Sequence, residues 1–227
     1  MKKAIILAAL FLAGCANAGF DLNAGKEARR AGDYAMAIHH LEPLADFGID
    51  EARYEYAMAV LRKKDPKATP EELDKAYNML LAVEGKRKPN ALFEIARMYQ
   101  KGVGVKKNMR KAKDLYKASG DLGYQRAYFE LARVLEKQKD YTNAEGLYKQ
   151  AFYNQYDRAA YNLGRMYEKG LGRQKDVVKA LAWYMVAQNH DVKHSDKKVK
   201  ELKAHLSSKD VSRATEISTG FAEYEKN

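Results

Sequence analysis

Cysteine is almost absent from this chain of 227 residues, which contains only Cys15. A single thiol cannot form an intramolecular disulfide, and it supplies too few ligands for a structural zinc site. The composition therefore excludes a disulfide framework within the chain and a cysteine-based metal site. Because Cys15 directly follows the apolar run AIILAALFLAG, its use is expected to lie in the processing of that segment.

Long apolar runs are equally scarce. The run that begins at Ala4 follows Lys2 and Lys3 and leads into small residues, which is the pattern of a secretory signal. It is shorter than the roughly 20 apolar residues that a transmembrane helix needs, and no later stretch is longer or more apolar. The sequence therefore predicts an exported protein with a signal peptide over residues 1–14.

Two cleavage sites compete at the end of this signal. Residues 12–15, LAGC, resemble the bacterial lipobox, in which a lipid is attached to the cysteine sulfur before cleavage in front of it. That resemblance predicts lipidation of Cys15, a tether over residues 15–19, and, because Ala16 rather than aspartate follows, an anchor on the periplasmic face of the outer membrane. The alternative is cleavage after Ala18, in the small-x-small pattern ANA, which would release a soluble periplasmic protein.

The charge of the chain favours acidic partners. Lys and Arg number 41 against 30 Asp and Glu, a formal net charge of +11. Such a chain attracts lipid headgroups, acidic glycans, acidic proteins or nucleic acid. Export argues against nucleic acid.

A repeated pattern occupies most of the remaining sequence. Four segments align, namely ARYEYAMAV from Ala52, ALFEIARMY from Ala91, AYFELARVL from Ala127 and AAYNLGRMY from Ala159. Each is followed by a second segment centred on an alanine, at Ala76, Ala112, Ala144 and Ala180, and an earlier unit runs from Phe20 to a segment around Ala37. From each second-segment alanine to the next first-segment alanine the distance is always 15 residues, whereas the distance within a unit varies from 17 to 24. A constant junction with a variable internal turn indicates units that stack with fixed geometry.

Both segments of each unit have the periodicity of amphipathic helices. Apolar residues recur at spacings of three and four, and no stretch alternates as a strand would. The sequence therefore predicts an all-α fold, an α-solenoid of about five stacked helical hairpins over residues 20–192. Residues 193–227 read as two more helices, without the alanine spacing, that form a polar C-terminal cap.

Two units carry a more specific pattern. ALFEIARMYQKGVGVKKNMRKAKDLYKASGDLG and AAYNLGRMYEKGLGRQKDVVKALAWYMVA both contain Met-Tyr, Gly-x-Gly and Lys-Ala in order. The second also contains Leu-Gly and Trp-Tyr, where the first has Ile-Ala and Leu-Tyr. They resemble the Sel1-like repeat family, which is related to tetratricopeptide repeats. The resemblance covers roughly residues 20–192 and implies a non-catalytic scaffold or adaptor that acts by binding.

Motifs for chemistry are missing. His190 and His194 stand four residues apart, a spacing compatible with a metal, but no Cys, Asp or Glu arrangement completes a site. No nucleophile elbow, phosphate-binding loop or HExxH motif is present. We therefore expect no catalytic residue, metal or cofactor, and no enzyme activity.

The resemblance to tetratricopeptide proteins implies a binding groove, because two positions of the first helix line the concave face in those proteins. The first position is occupied by Lys26, Met58, Arg97, Arg133 and Arg165, and the second by Arg30, Arg62, Lys101, Lys137 and Lys169. Nine of these ten residues are basic. An aromatic ladder is expected beside them, at Tyr54, Phe93, Phe129 and Tyr161, with Leu22 in the equivalent place of the first unit.

Repeated cationic side chains can hold carboxylates in paired hydrogen bonds, and neighbouring rings can stack on a sugar or an aromatic face. The groove is thus expected to bind an acidic peptide or helix of an envelope protein. The alternative partner is peptidoglycan or an anionic polysaccharide, with a role in envelope glycan or exopolysaccharide assembly or export. A structural interpretation also remains open, in which the cations form a solvated face and the rings belong to the core.

Overall fold

The computed structural model describes residues 19–223, and this part of the chain is all-helical, with twelve α-helices, one short 3₁₀ turn and no β-strand. The helices are α1 Leu22–Ala31, α2 Tyr34–Phe47, α3 Asp50–Arg62, α4 Pro70–Leu81, α5 Lys88–Lys101, α6 Met109–Asp121, α7 Gln125–Lys137, α8 Tyr141–Tyr153, α9 Arg158–Lys169, α10 Val177–Asn189, α11 Ser195–His205 and α12 Ser208–Glu223. The predicted all-α fold is confirmed. None of these helices is long and apolar enough to cross a membrane.

The helices form the hairpins that the repeat predicts. Odd-numbered helices α1 to α9 are the first helices of the five hairpins, and the even-numbered helices that follow them are the second. The described chain divides into two compact units, one up to Ser119 and one from Gly120 onward. The predicted signal peptide and Cys15 lie outside the described residues.

The first unit is held together by the alanines that define the repeat. Ala37, Ala52 and Ala76 are fully buried and Ala91 is nearly so. A methyl side chain at these positions lets neighbouring helices approach closely, and larger side chains such as Tyr56 fill the space between them. The repeat spacing is therefore a packing requirement.

The second unit uses the same alanines and closes with two additional helices. Ala127, Ala144, Ala159 and Ala180 are fully buried. Helices α11 and α12 both pack against α10. Here the ring of Phe221 stacks on that of Trp183, with centroids 4.1 Å apart and planes 16° apart. The last repeat thus buries its apolar face under two helices with polar outer surfaces.

The junctions of constant length share a backbone conformation. The eleventh residue after the second-helix alanine is left-handed in three of these four junctions and in the one that leads from α10 into α11, with φ of 108° at Gly48, 93° at Gly123, 68° at Gln155 and 53° at Asp191. Glycine adopts this conformation without a steric penalty, whereas residues with a Cβ adopt it rarely. The last two junctions therefore retain side chains where glycine would be easier to accommodate.

Candidate functional site

The cations at the first predicted groove position are all paired with glutamates. The pairs are Lys26 with Glu51 at 3.1 Å, Arg97 with Glu94 at 2.8 Å, Arg133 with Glu130 at 3.0 Å and Arg165 with Glu136 at 2.5 Å. Met58, which interrupts the row, is buried. The row is therefore electrically balanced, which differs from the uncompensated cationic stripe that the sequence suggested.

In the first unit, Glu51 connects three elements. Its carboxylate accepts a hydrogen bond from Arg87 Nε at 2.6 Å and lies 3.1 Å from Lys26 Nζ. The hydrogen bond from Arg87 is the largest influence on this carboxyl and lowers the pKa of Glu51 to about 2. Glu51 thus joins α1 to α3 and to the segment that leads into α5.

In the second unit, one carboxylate oxygen serves two donors. The Tyr148 hydroxyl donates to Glu136 Oε2 at 2.9 Å, and Arg165 Nη2 donates to the same oxygen at 2.5 Å. Burial, and then the charge of Glu136, raise the pKa of Tyr148, so its hydroxyl stays protonated as a donor. Glu136 therefore ties the second helix of its own hairpin to the first helix of the next.

The following repeat has a similar arrangement, in which the two donors bond to different oxygens of one carboxylate. Glu168 accepts from the Tyr184 hydroxyl at 2.6 Å and from Lys198 Nζ at 2.9 Å. Burial alone would raise the pKa of Glu168, but these two hydrogen bonds outweigh it and the pKa is lowered. In both repeats a buried tyrosine and a cation from the helix that follows the hairpin thus converge on one glutamate, an arrangement that serves packing.

The cations at the second predicted position are different, because they are exposed and no carboxylate in residues 19–223 pairs with them. Arg62, Lys101, Lys137 and Lys169 are the last residues of their helices, and Arg30 is the next to last of α1. A cation there interacts favourably with the helix dipole, which explains the residue type without involving a ligand. It also leaves each charged group accessible.

In the first unit, further cations extend this row into the turns. Lys64, Lys106 and Lys107 are exposed in the turns that follow α3 and α5. Because α1, α3 and α5 alternate with antiparallel helices, their C-terminal ends face one edge of the unit. We call Arg30, Arg62, Lys64, Lys101, Lys106 and Lys107 the basic turn edge. The helix positions of the repeat do not predict the turn lysines, because these lie outside the helices.

The predicted aromatic ladder is divided by burial. Phe93 is 1% exposed and Phe129 is 8% exposed, and they pack on Tyr116 and Tyr148 with ring centroids 5.5 Å and 5.6 Å apart. Their prediction as accessible binding residues is wrong, because the position lies between the two helices of the hairpin. Tyr54 and Tyr161 are only partly buried, and Leu22 packs at the edge of the core of the first unit.

The histidine pair does not complete a metal site in the described chain. No group of three or more His, Cys, Asp or Glu side chains within residues 19–223 is arranged to hold a metal ion. His190 Nδ1 instead lies 3.4 Å from Asp157 Oδ1.

The buried alanine frame and the helical hairpins define the class of protein, an α-solenoid built from repeats. Residues 89–124 and 157–184 match the family model described as Sel1 repeat, so the chain carries Sel1 repeats there, as the sequence motifs predicted. No curated protein sequence matches the chain.

Two solved structures are similar to this one. A Sel1 repeat protein from Oxalobacter formigenes superposes with a TM-score of 0.67 at 18% identity, over 91% of this chain and 84% of the other. A protective antigen of uropathogenic Escherichia coli with an SLR fold gives a TM-score of 0.44 at 18% identity, over 84% of this chain and 49% of the other. The first similarity supports the solenoid fold; at this identity it does not extend to function.

Proposed function

We propose that this protein is a non-catalytic scaffold that binds an acidic segment of another envelope protein through the basic turn edge. Sel1 repeats are in general protein-interaction modules, which supports binding as the mode of action. The contrast between the two rows of cations supports the location. First-position cations are already paired with glutamates, whereas second-position cations are exposed and unpaired within the described chain.

The physics of an exposed cationic edge determines what kind of binding is expected. A single exposed ion pair contributes about 0.2–1 kcal/mol, so affinity requires several pairs formed together. A row of like charges also steers an acidic partner during encounter and makes association dependent on salt. The proposed partner therefore carries several carboxylates along one helix or extended segment.

The location of the protein is part of the proposal. Lys2 and Lys3, the apolar run and the LAGC tetrapeptide support export and lipidation at Cys15 on the periplasmic face of the outer membrane. Four residues separate Cys15 from Phe20, so an anchored protein would begin its fold within about 17 Å of the lipid. Metabolic labelling with palmitate should mark the wild-type chain and leave Cys15→Ser unlabelled. Equal labelling of both chains would refute attachment at Cys15, and labelling of neither would favour cleavage after Ala18.

The binding proposal is tested by reversing charge on the edge. We expect the triple variant Arg30→Glu, Arg62→Glu and Lys101→Glu to lose partners that crosslink to the wild-type protein in intact cells. The matched control reverses three exposed cations on α11 and α12, namely Lys200→Glu, Lys209→Glu and Arg213→Glu, which makes the same change in net charge.

Far-ultraviolet circular dichroism should first establish that both triple variants fold, since each reversal at a helix end costs about 0.3–1 kcal/mol. Selective loss in the edge variant supports the proposal. Equal recovery of partners by the edge variant and the wild type contradicts it, as does equal loss in both triple variants.

A further inference from the structure

The second unit contains a cleft of about 770 Å³ that the repeat pattern does not predict. It lies between the first halves of α7 and α9 and the two junctions that follow α8 and α10. Tyr156 and Tyr161 contribute aromatic surface to its lining, and the largely buried Phe129 lies behind them at its wall. The rings of Phe129 and Tyr156 pack with centroids 4.9 Å apart, so part of this surface is held in place. Its volume falls within the roughly 300–1,000 Å³ of small-molecule sites.

The rest of the lining is strongly polar and of both charges. Arg126, Arg158 and Lys193 contribute three cations, and all three residues are exposed. Asp157 and Asp191 contribute two carboxylates, of which that of Asp157 lies 3.4 Å from His190 Nδ1. The cleft thus offers donors for an anion together with acceptors for uncharged donor groups.

The two junctions that frame the cleft are the two that retain side chains in left-handed backbone. Gln155 and Asp191 occupy the position that is Gly48 and Gly123 in two earlier junctions, with the same sign of φ. Both residues line the cleft. Glycine would satisfy the backbone at lower cost in these two junctions, so a contribution of the side chains to the cleft accounts for their retention there.

We infer that this cleft is a binding site for an acidic oligosaccharide. Sugar rings present C–H faces that pack on tyrosine, and their hydroxyls donate to carboxylate and amide oxygens such as those of Asp191 and Gln155. A uronic acid carboxylate would pair with Arg158 or its neighbouring cations, in a charge-assisted hydrogen bond.

A polyanionic peptide fits this cleft less well. It could satisfy the cations, but its side chains carry no neutral donor for Asp157 and Asp191, so its carboxylates would face theirs without compensation, and like charges at close range repel. Each uronic acid residue carries hydroxyls beside its carboxylate, and these hydroxyls can donate to Asp157 and Asp191. This inference concerns the second unit alone and does not depend on the scaffold function proposed for the basic turn edge.

The probe for the test is tetragalacturonic acid, a linear chain of four uronic acids, titrated into the protein by calorimetry and by amide NMR. We expect saturable binding with shifts centred on residues 155–158 and 190–194. Maltotetraose, which lacks carboxylates, and hexaglutamate, an acidic peptide, should each bind at least about tenfold more weakly.

The informative variant is the double replacement Gln155→Gly and Asp191→Gly. It removes two proposed ligand contacts while relieving the backbone, so affinity should fall at least about tenfold while the melting temperature stays the same or rises. Lys139→Gly is the matched control, because Lys139 is also left-handed, with φ of 63°, but does not line the cleft. Arg158→Gln should also weaken binding, and Arg213→Gln on α12 should not.

Several results would overturn the inference. Absence of saturable binding by the acidic tetrasaccharide would do so, as would shifts outside the cleft residues. Equal or tighter binding of hexaglutamate would identify a peptide site instead. Equal binding of maltotetraose would remove the role of the cations, and equal loss in the Lys139→Gly or Arg213→Gln controls would reduce the effect to general electrostatics or fold stability.

Discussion

The glutamate that joins successive repeats offers the sharpest test of how the second unit is held together. Glu136 accepts from Tyr148 and Arg165 on a single oxygen. The Tyr148 side chain is fully buried, whereas that of Arg165 is 27% exposed. Replacing Glu136 by alanine leaves both donors without this acceptor, and only the arginine is already in contact with solvent.

The expected loss of stability follows from these two exposures. An orphaned buried hydroxyl costs about 1–3 kcal/mol, and loss of a partly exposed ion pair adds about 1 kcal/mol or less. We therefore expect Glu136→Ala to lower the free energy of unfolding by about 2–4 kcal/mol. Glu136→Gln keeps an acceptor oxygen and should cost about 1 kcal/mol. Removing the donor with Tyr148→Phe should make the subsequent Glu136→Ala change less costly by about 1–2 kcal/mol.

Urea unfolding measures this coupling directly. The single tryptophan, Trp183, lies in the second unit and reports its unfolding by fluorescence, while circular dichroism follows all helices. The reasoning is wrong if Glu136→Ala costs less than about 0.5 kcal/mol. It is also wrong if the cost of Glu136→Ala is the same with and without the Tyr148 hydroxyl, since the two groups would then be independent.

Three further predictions concern packing and pH. Gly164→Ala should destabilise the protein by about 1–3 kcal/mol in thermal melts, because the added Cβ would lie 2.8 Å from a buried tyrosine ring. Gly146→Ala should be neutral or stabilising, because nothing lies within 4 Å of its added Cβ. The opposite order of stabilities would contradict the packing. Phe221→Ala should shift Trp183 emission to longer wavelength by opening the stacked face; an unchanged spectrum would refute the contact. The pKa of Glu51 is lowered from 4.5 to about 2, so its contribution to stability is complete above about pH 5 and is lost as the pH falls toward 2. Glu51→Gln should therefore show a smaller fall in the urea midpoint over that window. Parallel profiles of the two proteins would contradict the stabilising role of the Glu51 carboxylate.

The fold was largely predictable because its determinants are local and repeated. Alanines 15 residues apart across each junction, such as Ala144 and Ala159, encode close helix contacts directly in the sequence. The exposure of the predicted aromatic ladder was less predictable, because periodicity places Phe93 on a helix face but does not show whether the partner helix covers that face. Its 1% exposure is a property of the packed hairpin.

The candidate site shows the same division. Position within the repeat identified the exposed cations at helix ends, whereas the partners of the first-position cations come partly from other repeats. Arg165, for instance, reaches Glu136 from 29 residues away. The cleft was missed because it is formed by junction residues such as Gln155 and Asp191, which differ from the glycines of earlier repeats. A departure from the repeat consensus at a position of fixed backbone was the available signal.

The separation of paired from unpaired cations has a common electrostatic cause. First-position cations such as Lys26 and Arg165 reach across to acids on neighbouring hairpins, where water is partly excluded and an uncompensated charge would be costly. Second-position cations end their helices in solvent, where water screens them and the helix dipole favours them. In this chain a glutamate accompanies each first-position cation, which limits the repulsion between them where the hairpins stack. The excess positive charge is then left at the helix ends, where an acidic partner can reach it.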